Sequence, residues 1–224
     1  MRTIRNAVIT FAAMVVFVPF VCAQDLSKYR KFSLGTSLAQ VSKQVGPDSN
    51  GPNLIHERPA VIQEVTSWSV GSSRSSEQVD QISEILFSFY NGELYRIEVS
   101  YDSHATEGLT AEDMVQAVSA LYGTATRPAA EIHFPTRASY DSKEKVIARW
   151  EDSQNSISLF RSSSLDSFGL VVLSKRADAD AETAIIESAK LDKEEGPQKE
   201  VDRQKKEAEN LEVARQINRK TFHP

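Results

Sequence analysis

Between Ile85 and Tyr101 the chain reads ILFSFYNGELYRIEVSY, and this stretch constrains the fold more than any other. Apolar residues alternate at Ile85, Phe87 and Phe89 and again at Tyr95, Ile97, Val99 and Tyr101, with Asn91-Gly92 between the runs. Period two on both sides of a turn-forming pair is the pattern of a β-hairpin. A two-residue turn at Asn91-Gly92 sets Phe87 against Arg96, which mixes apolar and charged faces. A three-residue loop, Tyr90-Asn91-Gly92, sets Phe87 against Tyr95 and Ile85 against Ile97, and so gathers the apolar side chains on one face. The reading therefore expects the longer loop, with Gly92 left-handed.

Two helices carry matching punctuation. Leu38, Val41 and Val45 form a stripe preceded by Ser37 with Gln40 as a capping box and ended by Gly46-Pro47. Met114, Val118 and Leu121 form a second stripe, opened by Thr110 with Asp113 and ended by Gly123. In both, a hydroxyl satisfies the first free backbone N–H groups and glycine stops the helix. Strands are expected over 61–70 and in the hairpin after the first helix, and over 145–151, around Ile157 to Leu159 and over 168–173 after the second. The stretches 48–59 and 124–144 read as loops. The expected fold is α+β: two helix-then-three-strand units, about 29–101 and 109–174, sharing one antiparallel sheet with the helices on one face.

The ends differ from this middle. Arg2 and Arg5 precede an apolar run from Ala7 to Val21, followed by Val21-Cys22-Ala23, which reads as a signal peptide over 1–23 cleaved after Ala23. The run is about fifteen residues, short of the roughly twenty a membrane span needs, so no stable span is expected after cleavage. Lipidation at Cys22 is the competing reading, and Val21 is larger than the residue usual before such a cysteine. Cleavage would remove the single cysteine, leaving no disulfide or thiol chemistry, and would take the formal charge from −5 to −7. An exported, periplasmic or secreted, mildly acidic protein follows, with no expected nucleic-acid partner.

From Lys175 to Pro224, twenty-three of fifty residues are charged, so 176–224 is expected to be a charged helical or partly disordered tail following a domain over 24–175. Ala181, Ala184, Ile185, Ser188 and Ala189 make a narrow stripe that could lie on the core, and Gly196-Pro197 is expected to break the helix. Beyond it, Val201, Ala208 and Leu211 begin a seam that continues onto Arg215 and Asn218, which does not support a coiled coil.

No catalytic, cofactor-binding or metal-ligating motif stands out, and no cofactor is expected. Asp178, Asp180 and Glu182 have the spacing that opens a calcium loop, but Thr183 and Ala189 occupy the positions needing glycine and glutamate; acids in the first turn of a helix account for them. His56-Glu57 and Glu131 with His133 supply imidazole–carboxylate pairs in the two long loops without ligand spacing on a shared element. Gly71-Ser72 and Ser162 to Ser164 lack a nucleophile setting. Trp68, Trp150 and the hairpin aromatics fit a buried sheet face.

The residues Leu34-Gly35-Thr36-Ser37 through Val41 to Val45-Gly46-Pro47, with Phe89-Tyr90-Asn91-Gly92-Glu93-Leu94, resemble the G-x-s-xx-V-xxx-l-G-x-P … F-x-N-G-x-L pattern of small exported domains of the β-lactamase inhibitor protein and SmpA/OmlA group. The resemblance covers about 32–101, more faintly 109–173, and implies an exported, non-enzymatic domain devoted to protein contacts. The chain departs from the inhibitor proteins in lacking disulfides and from the lipoproteins in its residue before Cys22. The matched positions, Ser37, Gly46, Asn91 and Gly92, with Thr110 and Gly123 their counterparts in the second half, are structural. The expected function is thus a non-catalytic module binding another exported or envelope protein through an exposed sheet face or loops. The alternative is an enzyme or small-ligand carrier with a site between 48–59 and 124–144.

Overall fold

The computed structural model describes residues 25–68, 81–134, 143–162 and 167–221. The expected signal segment and the connector around Gly71 lie outside these residues. Strands β1 (Lys28–Tyr29) and β2 (Phe32–Ser33) form a small hairpin ahead of helix α1 (Leu38–Val45), whose end runs into a 3-10 turn at Gly46–Asp48. There follow β3 (Asn53–His56), β4 (Ile62–Trp68), β5 (Ile82–Tyr90) and β6 (Glu93–Tyr101). Helix α2 (Ala111–Tyr122) then precedes β7 (Glu131–His133), β8 (Lys143–Glu151), β9 (Asn155–Arg161) and β10 (Phe168–Ser174), and helix α3 spans Lys175–Thr221.

The eight strands β3 to β10 make one antiparallel sheet in the order β3-β4-β5-β6-β10-β9-β8-β7. Each half is a meander following its own helix, and the halves join through their last strands, Val172 of β10 opposite Ile97 of β6. The α+β class and the single shared sheet are as expected, but each unit has four strands. The additional ones, β3 and β7, lie within the two stretches read as loops and are too short, at four and three residues, to show a period.

The hairpin departs from the expected loop. Asn91 (φ 50°) and Gly92 (φ 84°) alone form the turn, with Tyr90 opposite Glu93 and Phe89 opposite Leu94. The register then slips: Ser88 pairs with Arg96, Phe87 with Ile97 and Ile85 with Val99, leaving Tyr95 as an extra residue in β6. This β-bulge repairs the parity that made a two-residue turn look wrong. Leu94 and Ile97 both join the core of Phe87, Phe89 and Val99, while Tyr95 and Arg96 turn together to the opposite face. Asn91 Oδ1 accepts from the Val61 N–H (3.0 Å), tying the turn to β4.

Helices α1 and α2 cover the first face through Val41, Met114, Val115, Val118 and Tyr122. Leu121, expected in that stripe, is exposed, and Tyr122 takes the inward position, its hydroxyl donating to the Lys28 carbonyl at 3.1 Å. The capping box at Thr110 and Asp113 forms in both directions, and Gly123 caps α2 at φ 87°. Ser37 makes no such cap: its hydroxyl donates to Gln40 Oε1 (3.2 Å), and the Leu38 N–H is satisfied by the Gly92 carbonyl (2.9 Å) instead. The α1 entry is held by the hairpin, since Gly35 N–H also donates to Leu94 O (2.7 Å) and Leu94 N–H to Thr36 O (2.9 Å).

The two unit helices thus share one face, as expected, and the C-terminal helix takes the other. α3 crosses the second face, packing Ala181 and Ile185 against Ile62 and Tyr95, with Ala184 also buried. It also runs through Gly196-Pro197 without ending. Gly196 has no Cβ to meet the proline ring, which lessens the steric bar to helical conformation before proline, and Lys199 bridges back to Asp192 (3.5 Å) and Glu195 (3.1 Å).

Because Gly92 sits at positive φ, Gly92→Val is expected to lower folding stability by about 1–2 kcal/mol, measured by chemical denaturation. Gly92→Asn, which tolerates this conformation, is expected to lose less.

Candidate functional site

The two faces of the sheet differ in chemistry. Central positions on the first face are apolar. The second carries Glu64, Ser88, Arg96, Glu98, Ser156 and Ser158, all buried. Burying such groups is unfavourable unless each finds a partner, and the partners come from both neighbouring strands and the cover.

Arg96 is the centre of this arrangement. Placed on the second face by the bulge and 2% exposed, its guanidinium donates from Nη1 to Asp178 Oδ1 of α3 (3.1 Å) and from Nη2 to the His133 carbonyl of β7 (2.7 Å). Its Nε lies 2.9 Å from Glu98 Oε1, two residues along the same strand face; this is a close charge contact without hydrogen-bond alignment. The Phe134 ring centroid is 5.4 Å from the guanidinium carbon. Burial alone would depress the Arg96 pKa, but the carboxylates of Glu98 and Asp178 outweigh it and raise the pKa above its ordinary value. Beside it, burial pushes the Tyr95 phenol up, so it stays neutral. Across the face the Ser88 hydroxyl donates to Glu64 Oε1 (3.3 Å), and Arg149 Nε donates to Ser158 Oγ (3.1 Å).

Around the margin of α3 the contacts are polar and more exposed. Lys175 pairs with Glu151 (2.7 Å) and Arg58 with Glu195 (2.8 Å). His133 Nδ1 lies 4.0 Å from Glu182 Oε1, and His56 Nδ1 is hydrogen-bonded with Ser188 Oγ (2.9 Å). Desolvation and the nearby Asp178 raise the Glu182 pKa, although Arg96 and His133 oppose the shift.

The candidates from the sequence are dispersed. His56 and His133 stand on opposite edge strands and meet residues of α3 six positions apart, about 9 Å of helix rise, so their two pairs do not converge. Among the described residues no three potential metal ligands come together. Asp178, Asp180 and Glu182 are helical: Asp178 faces Arg96, Asp180 lies 3.9 Å from Arg176, and Glu182 faces His133. Gly71-Ser72 lies outside the described residues, and Ser162 is a buried residue whose N–H donates to Ser167 O (2.8 Å). Trp150 is core, with its indole donating to the Gly123 carbonyl (2.9 Å), whereas Trp68 is 40% exposed. Gly46, Gly123, Asn91 and Gly92 hold cap and turn positions, with Thr110 as the N-cap of α2. The Arg96 cluster escapes sequence reading because alternation places Arg96 and Glu98 on a face that would be solvated without α3. No family model, curated protein or solved structure matches the chain.

Arg96→Ala leaves Glu98 buried beside a vacated charge and is expected to cost about 3–5 kcal/mol by denaturant titration, whereas Arg58→Ala, at the exposed end, is expected to leave the transition unchanged. Because the folded pKa of Glu182 is raised, its contribution favours folding below the ordinary carboxylate range and is lost as pH rises through the folded value. Glu182→Gln is therefore expected to raise the melting temperature at pH 7 and leave it unchanged near pH 3.

Proposed function

We propose that this chain is an exported, non-catalytic module that binds another exported or envelope protein. The observation that carries the reading is the outer half of α3. From Pro197 to Thr221 every residue is exposed, so the helix runs on for about 37 Å with none of the described residues packed beneath it. It bares Val201 (57%), Leu211 (71%), Val213 (57%) and Ile217 (57%). Val213 and Ile217, four residues apart, share one side of the helix, and exposed apolar neighbours at this spacing are the kind of anchor by which a helix engages a groove on another protein. The binding surface is moved from the sheet to this helix, because both sheet faces are covered.

The resemblance to the β-lactamase inhibitor protein and SmpA/OmlA group supports the same reading, since the matched segments meet in space: Gly35, Thr36 and Leu38 bond the backbone of Gly92 and Leu94. No described helix is long and apolar enough to cross a membrane, which is compatible with a module presented to a soluble or envelope partner.

The test is capture of envelope and secreted proteins by the full chain and by a version ending at Glu195. That end point preserves the Arg58 pair and the buried turns of α3. The shortened protein is expected to melt at the same temperature as the full chain and to lose the partner. Equal capture by both, or no specific partner for either, would remove the reading.

A further inference from the structure

A sheet face that is always covered is ordinarily apolar, as the first face here is. The second face has a buried arginine, two buried glutamates and buried serines, and the cover supplied by α3 is thin: its buried positions are Ala181, Ala184, Ile185 and Ser188. The other links are the Asp178–Arg96 pair and marginal polar contacts. Lys175–Glu151, His133–Glu182 and Arg58–Glu195 each have both side chains more than a third exposed to solvent or close to it, where ion pairs hold weakly.

The charge at the centre does not depend on the helix. If α3 lifted, Arg96 would lose one hydrogen bond, to Asp178, but would keep Glu98 and the His133 carbonyl. A buried arginine whose only counter-charge lay on α3 would fasten the cover, because parting them would strand the charge. Here the counter-charge stays on β6. Opening would bare Ile62 and Tyr95 as an apolar floor beside an already neutralised guanidinium.

We propose that the first four turns of α3 are a releasable strap over a helix-binding face. The face takes a helix of the chemistry that α3 itself displays: a carboxylate, with small or branched apolar side chains three, six and seven residues later, as in Asp178, Ala181, Ala184 and Ile185. This rests on the reading of the chain as a binding module, and adds a second, closed surface to the exposed outer helix.

Two measurements on the full chain test it. In native-state hydrogen exchange, the amides of residues 181–188 are expected to exchange through a partial opening, on the order of a hundredfold faster than those of β6 and β10. Exchange in step with those strands would overturn the proposal. Second, a fluorescein-labelled peptide of residues 175–195 is added to the wild type and to Ile185→Asp, a variant designed to free the strap. The variant is expected to bind the peptide at least about tenfold more tightly than the wild type, where the strap competes at high effective concentration, and Arg96→Met in the same background to abolish binding. Equal binding to wild type and variant, or no binding to a variant that retains the near-ultraviolet signature of buried Trp150, overturns the proposal. If Ile185→Asp does not fold, hydrogen exchange on the wild type decides. Failure to capture a partner through the outer helix, with both strap results positive, removes the outer helix as the binding surface and leaves this one.

Discussion

One extra residue in β6 determines what each face of the sheet becomes. The bulge at Tyr95 lets Leu94 and Ile97, three apart in sequence, point the same way, while Tyr95 and Arg96, adjacent in sequence, point together to the other side. Without it, strict alternation would put Arg96 on the face of Phe87 and Phe89 or Leu94 on the face of α3. The two-residue turn at Asn91-Gly92 and the bulge are thus one device. The turn supplies the twist that suits a hairpin, and the bulge restores the parity that the turn disturbs. The same turn receives the entry of α1 through Gly92 O, so the first face, the second face and the first helix all refer to it.

Arg96 then organises the second face. A buried ion pair is weak grounds for stability, since desolvating the partners offsets much of their attraction; what it supplies here is a position. The fork of the guanidinium reaches three elements at once: Glu98 on its own strand, Asp178 on α3 and the His133 carbonyl on β7. Few other rotations of α3 about its axis would present a carboxylate at that point and alanines to Tyr95. The half of the face belonging to the second unit has a different solution. There Phe160, Val171 and Val146 are apolar and are covered by Ile132 and Phe134, so the chain's own edge strand closes that side. Across the seam Arg96 stands opposite Leu173 and Glu98 opposite Val171.

What the sequence made legible was whatever is decided locally. The Thr110–Asp113 cap, the glycines ending both helices, Asn91-Gly92 as a turn and the stripe Ala181, Ala184, Ile185 and Ser188, though not Ala189, which is exposed, all depend on residues within two helical turns or one hairpin. Most of the misses depend on a partner distant in sequence. Ser37 does not cap, its hydroxyl donating to the Gln40 side chain, and the entry of α1 is held instead by the Gly92 carbonyl, more than fifty residues away, on the Leu38 N–H. The bulge is invisible to period counting because counting assumes strict alternation, so the parity it repairs is assigned to a longer loop instead. β3 and β7 are strands because of neighbours, not propensity. Arg96 and Glu98 look like a solvated strand face until a helix eighty residues later lies over them. Gly196-Pro197 has the local signature of a stop, yet helical geometry continues through it.

The length of α3 follows from the topology. It starts directly at the end of β10, near the middle of the sheet, and crosses β6, β5 and β4 before reaching β3. Four strand spacings are about 19 Å, and the thirteen steps from Lys175 to Ser188 rise about 20 Å. Burial ends where this arithmetic requires: Ser188 is the last buried residue of the helix, bonded to His56 on the edge strand. Past the edge Arg58 reaches up to Glu195, and from Pro197 onward no described strand lies under the helix. The exposed outer helix is therefore not a failure of the inner one to find its place. A helix launched from a central strand across half a sheet has room for about four turns of packing, and every further turn is surface that the domain cannot cover by itself.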